Sequence, residues 1–327
     1  MLRREFIAIM GAAVAVPFHG ANAQQRPRRI GVLIALAEAD PQGQRWAQAL
    51  LQGLDALGWK PGTNLQIDIR YGDSNSDRIQ EVARQLVAEQ PDVLEVTTTP
   101  GTAAVLKTTQ TIPIIFSMVS DPVGSGFVKS LPRPGGNATG FINIEASMGG
   151  KWLQLLKEVA PEISHVTMLF NPKTAPQGEY YRRIVENAAG PMAIKTKVAL
   201  VSDVSAIEAE MIATRAARGG MVILPDVYLL TLRDLVVSLA NRERLPTIYP
   251  FTPFAESGGL LSYGVDLPDL QRRAAGYVDA VLKGTAPSDL PVQLPTKFEL
   301  AVNLKTAQML NIDLPHSLIS IADKIIE

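Results

Sequence analysis

Cysteine is absent from the 327 residues. Its absence excludes disulfides, thiol nucleophiles and thiolate metal sites, and is compatible with an oxidising compartment without requiring one. Histidine, the usual general base and metal ligand, occurs three times, and only His165 and His316 lie beyond residue 23. His165 opens a strand-like run and His316 sits near the C-terminus, so the two do not make a catalytic pair. Neither sign of charge is in excess: 31 Lys+Arg against 32 Asp+Glu leave a formal −1, with no broad basic face for nucleic acid. Enzyme signatures are missing as well. Gly124-Ser125-Gly126 lacks the spacing of a nucleophile elbow, and Lys129 stands where a dinucleotide fingerprint needs its third glycine. No Gly-Lys-Ser/Thr phosphate loop occurs. No short-period repeat or low-complexity tract is found, and beyond the N-terminus no apolar run is long enough to span a bilayer.

What is present begins at the N-terminus. "MLRREFIAIMGAAVAVPFHGANA" has a basic start at Arg3-Arg4, an apolar centre from Phe6 to Phe18, and small residues at Ala21 and Ala23. That three-part plan predicts a cleavable export signal over 1–23, with the mature chain starting near Gln24. Arg-Arg-Glu-Phe also resembles a twin-arginine signal, although Leu2 replaces the usual preceding polar residue. The remaining composition, 46% apolar and 19% charged over the whole chain, suits a soluble protein of two domains or one large one.

Apolar β-prone runs then alternate with helix-period segments. Ile30–Leu36, Leu65–Tyr71, Asp92–Thr97 and Ile112–Ser117 read as strands; Gln42–Leu57, Asp77–Glu89 and Thr102–Gln110 read as helices between them. After the Pro/Gly-rich Leu131–Gly140 the pattern restarts, with strands at His165–Phe170, Lys195–Val201 and Met221–Leu224. Strands alternating with helices predict mostly parallel sheets covered on both faces, and two such units predict two lobes. The C-terminal third has too few elements for a third core, so it is expected to return and complete both lobes. The expected division is 24–140 plus 250–283 in lobe 1, and 141–249 plus 284–327 in lobe 2. The chain would cross near Gly140–Ala146, Arg244–Pro250 and Gly284–Pro295, a hinge around a cleft.

Ligands of open α/β sheets bind beyond the carboxyl ends of the strands. Polar residues at the expected strand ends are therefore candidates: Glu38 after the first strand, Thr98, Thr99 and Thr102 after the third, and Ser117, Ser120 and Asp121 after the fourth. In the second unit they are Asn171 and Asp226, joined by Tyr249 and Glu256 from the returning segment. Each has a plainer explanation. Asp121-Pro122 and Thr99-Pro100 are good helix starts, Asn171-Pro172 and Pro225-Asp226 are ordinary turns, and Tyr249 fits a core.

Three blocks carry a resemblance: "TTTPGTAAVLKTTQTIPIIFSMVSDPVGSGFVKSLPRPGGNATGF", "LQLLKEVAPEISHVTMLFNP" and "LPTIYPFTPFAESGGLLSYGVDLPDLQRRAAGYVDAVLKGTAPSDLPVQLPTKFELAVNLKTAQMLNIDLP". They resemble periplasmic substrate-binding components of ABC importers, in the branch that includes tryptophan/tyrosine binders. The resemblance implies a periplasmic-binding-protein type I fold, with two Rossmann-like lobes, parallel sheets, a three-crossover hinge and a ligand in the cleft. It implies transport without catalysis and without a cofactor or metal, in the periplasm. It also implies a monomer that hands a small polar or amphipathic ligand to permease and ATPase subunits. An amino acid or related compound, aromatic ones included, would satisfy Asp121 and Glu256 through its ammonium and the free helix start at Thr99–Thr102 through its carboxylate. A ligand-sensing domain for a membrane receptor shares this fold, and an α/β hydrolase is the remaining alternative.

Overall fold

A strand buried on both faces needs an unbroken apolar run. β1 (Arg28–Ile34) has one, with Ile30 and Val32 through Ile34 sealed from solvent. The computed structural model describes residues 26–327, so the expected export signal lies outside the described residues. The chain continues through α1 (Pro41–Ala56), β2 (Leu65–Tyr71), α2 (Ser76–Ala88), β3 (Val93–Thr97), α3 (Thr99–Thr108), β4 (Ile114–Val119) and β5 (Ala138–Ile142). These strands form a parallel sheet in the order β2-β1-β3-β4-β5. Local chemistry sets the helix starts: Asp40 caps α1 with Pro41 behind it, and Asn75 caps α2.

The second unit comprises α4 (Ser147–Val159), β6 (His165–Phe170), α5 (Gly178–Ala189), β7 (Lys195–Leu200), α6 (Val204–Ala216), β8 (Gly220–Ile223), α7 (Val227–Thr231), α8 (Arg233–Arg242), β9 (Thr247–Tyr249), α9 (Thr252–Glu256) and β10 (Leu261–Val265). The chain then returns through α10 (Leu267–Leu282), β11 (Phe298–Asn303), α11 (Leu304–Leu310), α12 (His316–Ser320) and β12 (Lys324–Ile326). Seven strands pair in the order β12-β11-β10-β9-β8-β6-β7, antiparallel only between β10 and β11. The two-lobed architecture expected from the alternation is present, with one mixed sheet.

Three local expectations need correction. β4 starts two residues later and runs two further than expected, through a register irregularity between Phe116 and Val119, so Ser117 lies inside the sheet. Thr99, not Thr102, begins α3, with Pro100 in its first turn. Of the segment 250–283, only α10 packs on lobe 1, against α1 and the β3–β4 face. β10 joins the other sheet, because Leu261 pairs with Ile248 and Tyr263 with Leu300. Nothing in the run Leu261–Val265 distinguishes one sheet from the other; the two flanking partners do.

The crossovers move accordingly. The first follows β5, inside the expected stretch. The second passes through Asp266, between β10 and α10, and the third lies between Gln293, still bonded to Gly140 of lobe 1, and Phe298 of lobe 2. Lys297 Nζ binds Asp266 Oδ2 at 2.6 Å and the Asp266 N–H donates to Lys297 O, so the second and third crossovers are tied together.

A carboxyl group is sealed inside lobe 1. Glu95, on β3, accepts from Ser117 Oγ at 2.8 Å, and Gln271 of α10 donates to that hydroxyl at 3.0 Å. Glu95 Oε2 and Gln271 Oε1 have no partner. Burial pushes the Glu95 carboxyl up to about 8, against the opposing hydrogen bonds of Ser117 and Gln271. A proton on Oε2 turns an orphaned acceptor into a donor. The folded state therefore holds a proton that the unfolded chain releases near pH 4.5, and stability falls as pH rises from there to about 8. Glu95→Gln should flatten this slope, so its melting temperature should exceed the parent's most clearly above pH 8. Parallel melting curves against pH would count against a protonated Glu95.

Candidate ligand site between the lobes

The carboxyl ends of β1, β3 and β4 face those of β6 and β8 across a cleft with about 400 Å³ of space free of protein atoms. On lobe 1 the wall is Trp46 of α1, the Thr98-Thr99-Pro100 turn opening α3, and Met118 and Ser120 at the end of β4. On lobe 2 it is Thr174, Gln177, Tyr181, Asp226, Val227 and Leu230. Asn143, Phe251 and Leu267 complete the cavity.

Two residues of the wall carry backbone strain. Thr98 has φ 69° and Met118 φ 59°, conformations that side-chain-bearing residues seldom adopt. They end neighbouring parallel strands, and Thr98 N–H donates to Ser117 O at 2.8 Å. Such strain persists only where the surrounding structure over-determines it, and here both strained residues line the cavity. Thr98 gives α3 no side-chain cap, so the first-turn N–H groups of that ten-residue helix lack the usual acceptor.

A relay of hydrogen bonds crosses the cleft. Gln177 Nε2 donates to Tyr181 Oη at 2.9 Å, Tyr181 Oη meets Ser120 Oγ, and Ser120 Oγ donates to Asn143 Oδ1 at 2.9 Å. Because Ser120 spends its proton on Asn143, Tyr181 is the donor to Ser120. Burial keeps the Tyr181 phenol protonated, its pKa pushed well up. Asp226 is the carboxylate that faces the cavity. Its Oδ2 accepts from Asn171 N–H at 2.7 Å, and its Oδ1 from Thr174 Oγ1 at 2.6 Å and Tyr228 N–H at 2.9 Å. Burial still raises its pKa to about 6, since these donors only partly offset the loss of water. Three buried atoms of the wall have no partner: Trp46 Nε1, Thr98 Oγ1 and Gln177 Oε1. An unpartnered buried polar group is costly, so a donor, a hydroxyl and an acceptor around one cavity outline a polar ligand.

Four of the residues singled out in the sequence meet here: Thr98, Thr99, Ser120 and Asp226. The others serve elsewhere. Ser117 is interior, and Thr102 turns its hydroxyl back to Thr98 O at 2.9 Å. Asn171 braces Asp226 through its N–H and the following turn through its side chain. Asp121 accepts from Gly124 N–H at 2.8 Å and opens on a separate groove beside Glu179 and Arg183. Glu38 is exposed on its loop. Tyr249 is buried, stacked on Phe254 with ring centroids 5.0 Å apart. Glu256 pairs with Arg45 at 3.0 Å and Lys324 at 2.5 Å. The sequence reading missed Trp46, Asn143, Thr174, Gln177, Tyr181 and Phe251. Trp46 and Tyr181 sit on apolar helix faces and read as core, so no local signal marks them.

Known proteins share both the sequence pattern and the fold. A tyrosine-binding protein of Clostridioides difficile (strain R20291) is 26% identical over 278 residues, covering 83% of this chain and 78% of that protein. A crystal structure of a conserved domain protein from Vibrio cholerae O1 biovar El Tor str. N16961 is 28% identical and superposes with a TM-score of 0.85 over 92% of this chain and all of that one. An ABC domain in complex with L-Trp from Streptococcus pneumoniae superposes equally well, at 0.85 over the same shares, and with 24% identity it shows the fold. The model of the family described as ABC transporter substrate binding protein matches residues 31–326. Through that match, which spans both lobes and the cleft between them, the chain belongs to the ABC transporter substrate binding proteins, as a ligand-binding component and not a catalytic one.

Proposed function

We propose that the cleft captures an amino acid, or a compound carrying the same paired ammonium and carboxylate, and delivers it to a membrane permease. The observation that carries this reading is the complementary set of buried groups around one cavity. Trp46 Nε1, Thr98 Oγ1 and the uncapped start of α3 suit a carboxylate, while Asp226 and Gln177 Oε1 suit an ammonium. Asp226 thereby takes the role that the sequence suggested for Asp121 and Glu256, whose carboxylates are engaged outside the cavity. Trp46, Tyr181, Phe251 and Leu230 make much of the remaining wall apolar, which suits a ligand with an apolar or aromatic side chain. The proteins similar to this chain include a tyrosine binder and a domain crystallised with L-Trp, which supports the same class.

Family membership is consistent with a periplasmic location, and the sequence of residues 1–23 supplies the means of export. Among the described residues, no helix is long and apolar enough to cross a membrane. The protein is expected to work as a monomer beside its permease and ATPase.

Calorimetric titration with the twenty amino acids, L-tryptophan and L-tyrosine first, tests the class. Saturable heat from at least one is expected; none from any, with a compound of another class retained in native mass spectra, would overturn it. For the amino acid that binds, Asp226→Asn should weaken affinity at least tenfold, since truncating a buried charge partner typically costs ~2–5 kcal/mol. Asp121→Asn and Glu256→Gln should change it less than threefold. Asp226 must be ionised to meet an ammonium, so parent affinity should fall as pH drops through about 6 and Asp226→Asn should lose that dependence. N-terminal sequencing of protein recovered from the periplasm should read from Gln24 or a neighbour; an intact Met1 would refute cleavage.

A further inference from the structure

Two lips of the cleft touch outside the cavity. Asp40 follows β1 on lobe 1 and Arg233 opens α8 on lobe 2, and Arg233 Nη1 meets Asp40 Oδ2 at 3.0 Å. Their side chains are only 8% and 12% exposed, unlike most ion pairs of this protein, which lie at the surface. Beside them Ser74 Oγ and Thr231 Oγ1 are 2.6 Å apart, again across the cleft. Each half is fixed within its own lobe. Asp40 Oδ1 accepts from Gln42 N–H at 2.9 Å, and Ser74 N–H donates to Ala35 O at 2.7 Å. On the facing lobe the same Arg233 Nη1 donates to Leu230 O at 3.0 Å.

These attachments lead into the cavity. Asp40 starts the helix that carries Trp46, and Leu230 is itself part of the opposite wall. The Asp40–Arg233 distance therefore sets how closely the Trp46 wall approaches the Val227–Leu230 wall. Leverage adds to this. Ser74 follows β2, the edge strand farthest from β5, and β5 leads into the first crossover. Four strand spacings, about 19 Å, separate those edges, so opening at the hinge parts these contacts widely.

We propose that Asp40 and Arg233 form a latch that draws the lobes together through the chain's own side chains, making both positioning residues for ligand capture. Opening the cleft returns both charges to water. Closing it after one partner is truncated buries the other alone, which disfavours the closed form. A ligand that binds only the closed form sees an affinity scaled by the closed fraction. The consequence for capture rests on the cleft being the ligand site, but the latch itself is measurable without any ligand.

The chain has no cysteine, so Ser76→Cys on α2 and Ser205→Cys on α6, both exposed, give a single nitroxide pair across the lobes. In dialysed protein, pulsed electron resonance of this background should show a short-distance population. Arg233→Gln and, separately, Asp40→Asn should each reduce it at least threefold. Asn is also a good helix cap, so Asp40→Asn breaks the ion pair while retaining the start of α1. Arg233→Lys, which can still reach Asp40 with one donor, should restore most of the short population. Melting temperatures should stay within a degree or two of the background, since the pair joins lobes and holds neither together. The latch is overturned if the background lacks the short population or if neither charge-removing variant changes it. A positioning role is likewise overturned if that population falls only in step with melting temperature.

Discussion

Parallel pairing imposes one condition on which the rest of this molecule depends: every strand of such a sheet must end at the same edge. In lobe 1, β1, β3 and β4 consequently deliver their following loops to one line, where Trp46, Thr98, Met118 and Ser120 collect. β6 and β8 do the same in lobe 2 for Thr174, Gln177 and Asp226. Three crossovers turn the two lines towards each other, so a cavity forms from residues far apart in the chain. Among the described residues the only antiparallel pair, β10–β11, occurs where the chain comes back to lobe 2 after visiting α10 on lobe 1.

Buried polar groups without a partner occur both in the core and in the cavity wall. In the core, Thr97 Oγ1 accepts from Ala35 N–H at 2.9 Å and donates to Leu33 O, whereas Glu95 Oε2 and Gln271 Oε1 stay unpaired. Where polar groups face the cavity, several stay unpaired, and the backbone beneath them is strained at Thr98 and Met118. Orphaned donors and strained backbone have a common explanation at such a place. In the proposed ligand site, the surrounding sheet would hold them in position, so that a ligand would meet groups already aimed and less ordering would remain to be done on binding.

The cleft also separates two kinds of contact between the lobes. Ser120–Tyr181 lies in the wall itself and joins the relay from Gln177 to Asn143. Asp40–Arg233 and Ser74–Thr231 lie outside it, at the lips. The first kind ties closure to the chemistry of the site, and the second to the geometry of the two lobes. The three crossovers between the lobes pass close to Asn143, Asp266 and Lys297.

The sequence by itself determined the alternation of strand and helix, the two lobes, the absence of catalytic groups and the line of strand ends where a ligand would sit. Those features are local: a two-faced apolar run such as Ile30–Leu36, a helix face such as Trp46, Leu50 and Leu54, or a Pro-led turn is written in adjacent residues. Only the tertiary structure decided which sheet takes β10, because Leu261–Val265 fits either and the choice belongs to Ile248 and Leu300. It alone separated Asp226, aimed into the cavity, from Asp121 and Glu256, which do other work with the same functional group. It also showed that Tyr181, indistinguishable in sequence from a core residue, reaches Ser120 of the opposite lobe, and that Trp46 lines the same cavity. A buried face looks the same in sequence whichever surface covers it, and that surface is supplied by residues distant in the chain, as Ser120 is from Tyr181.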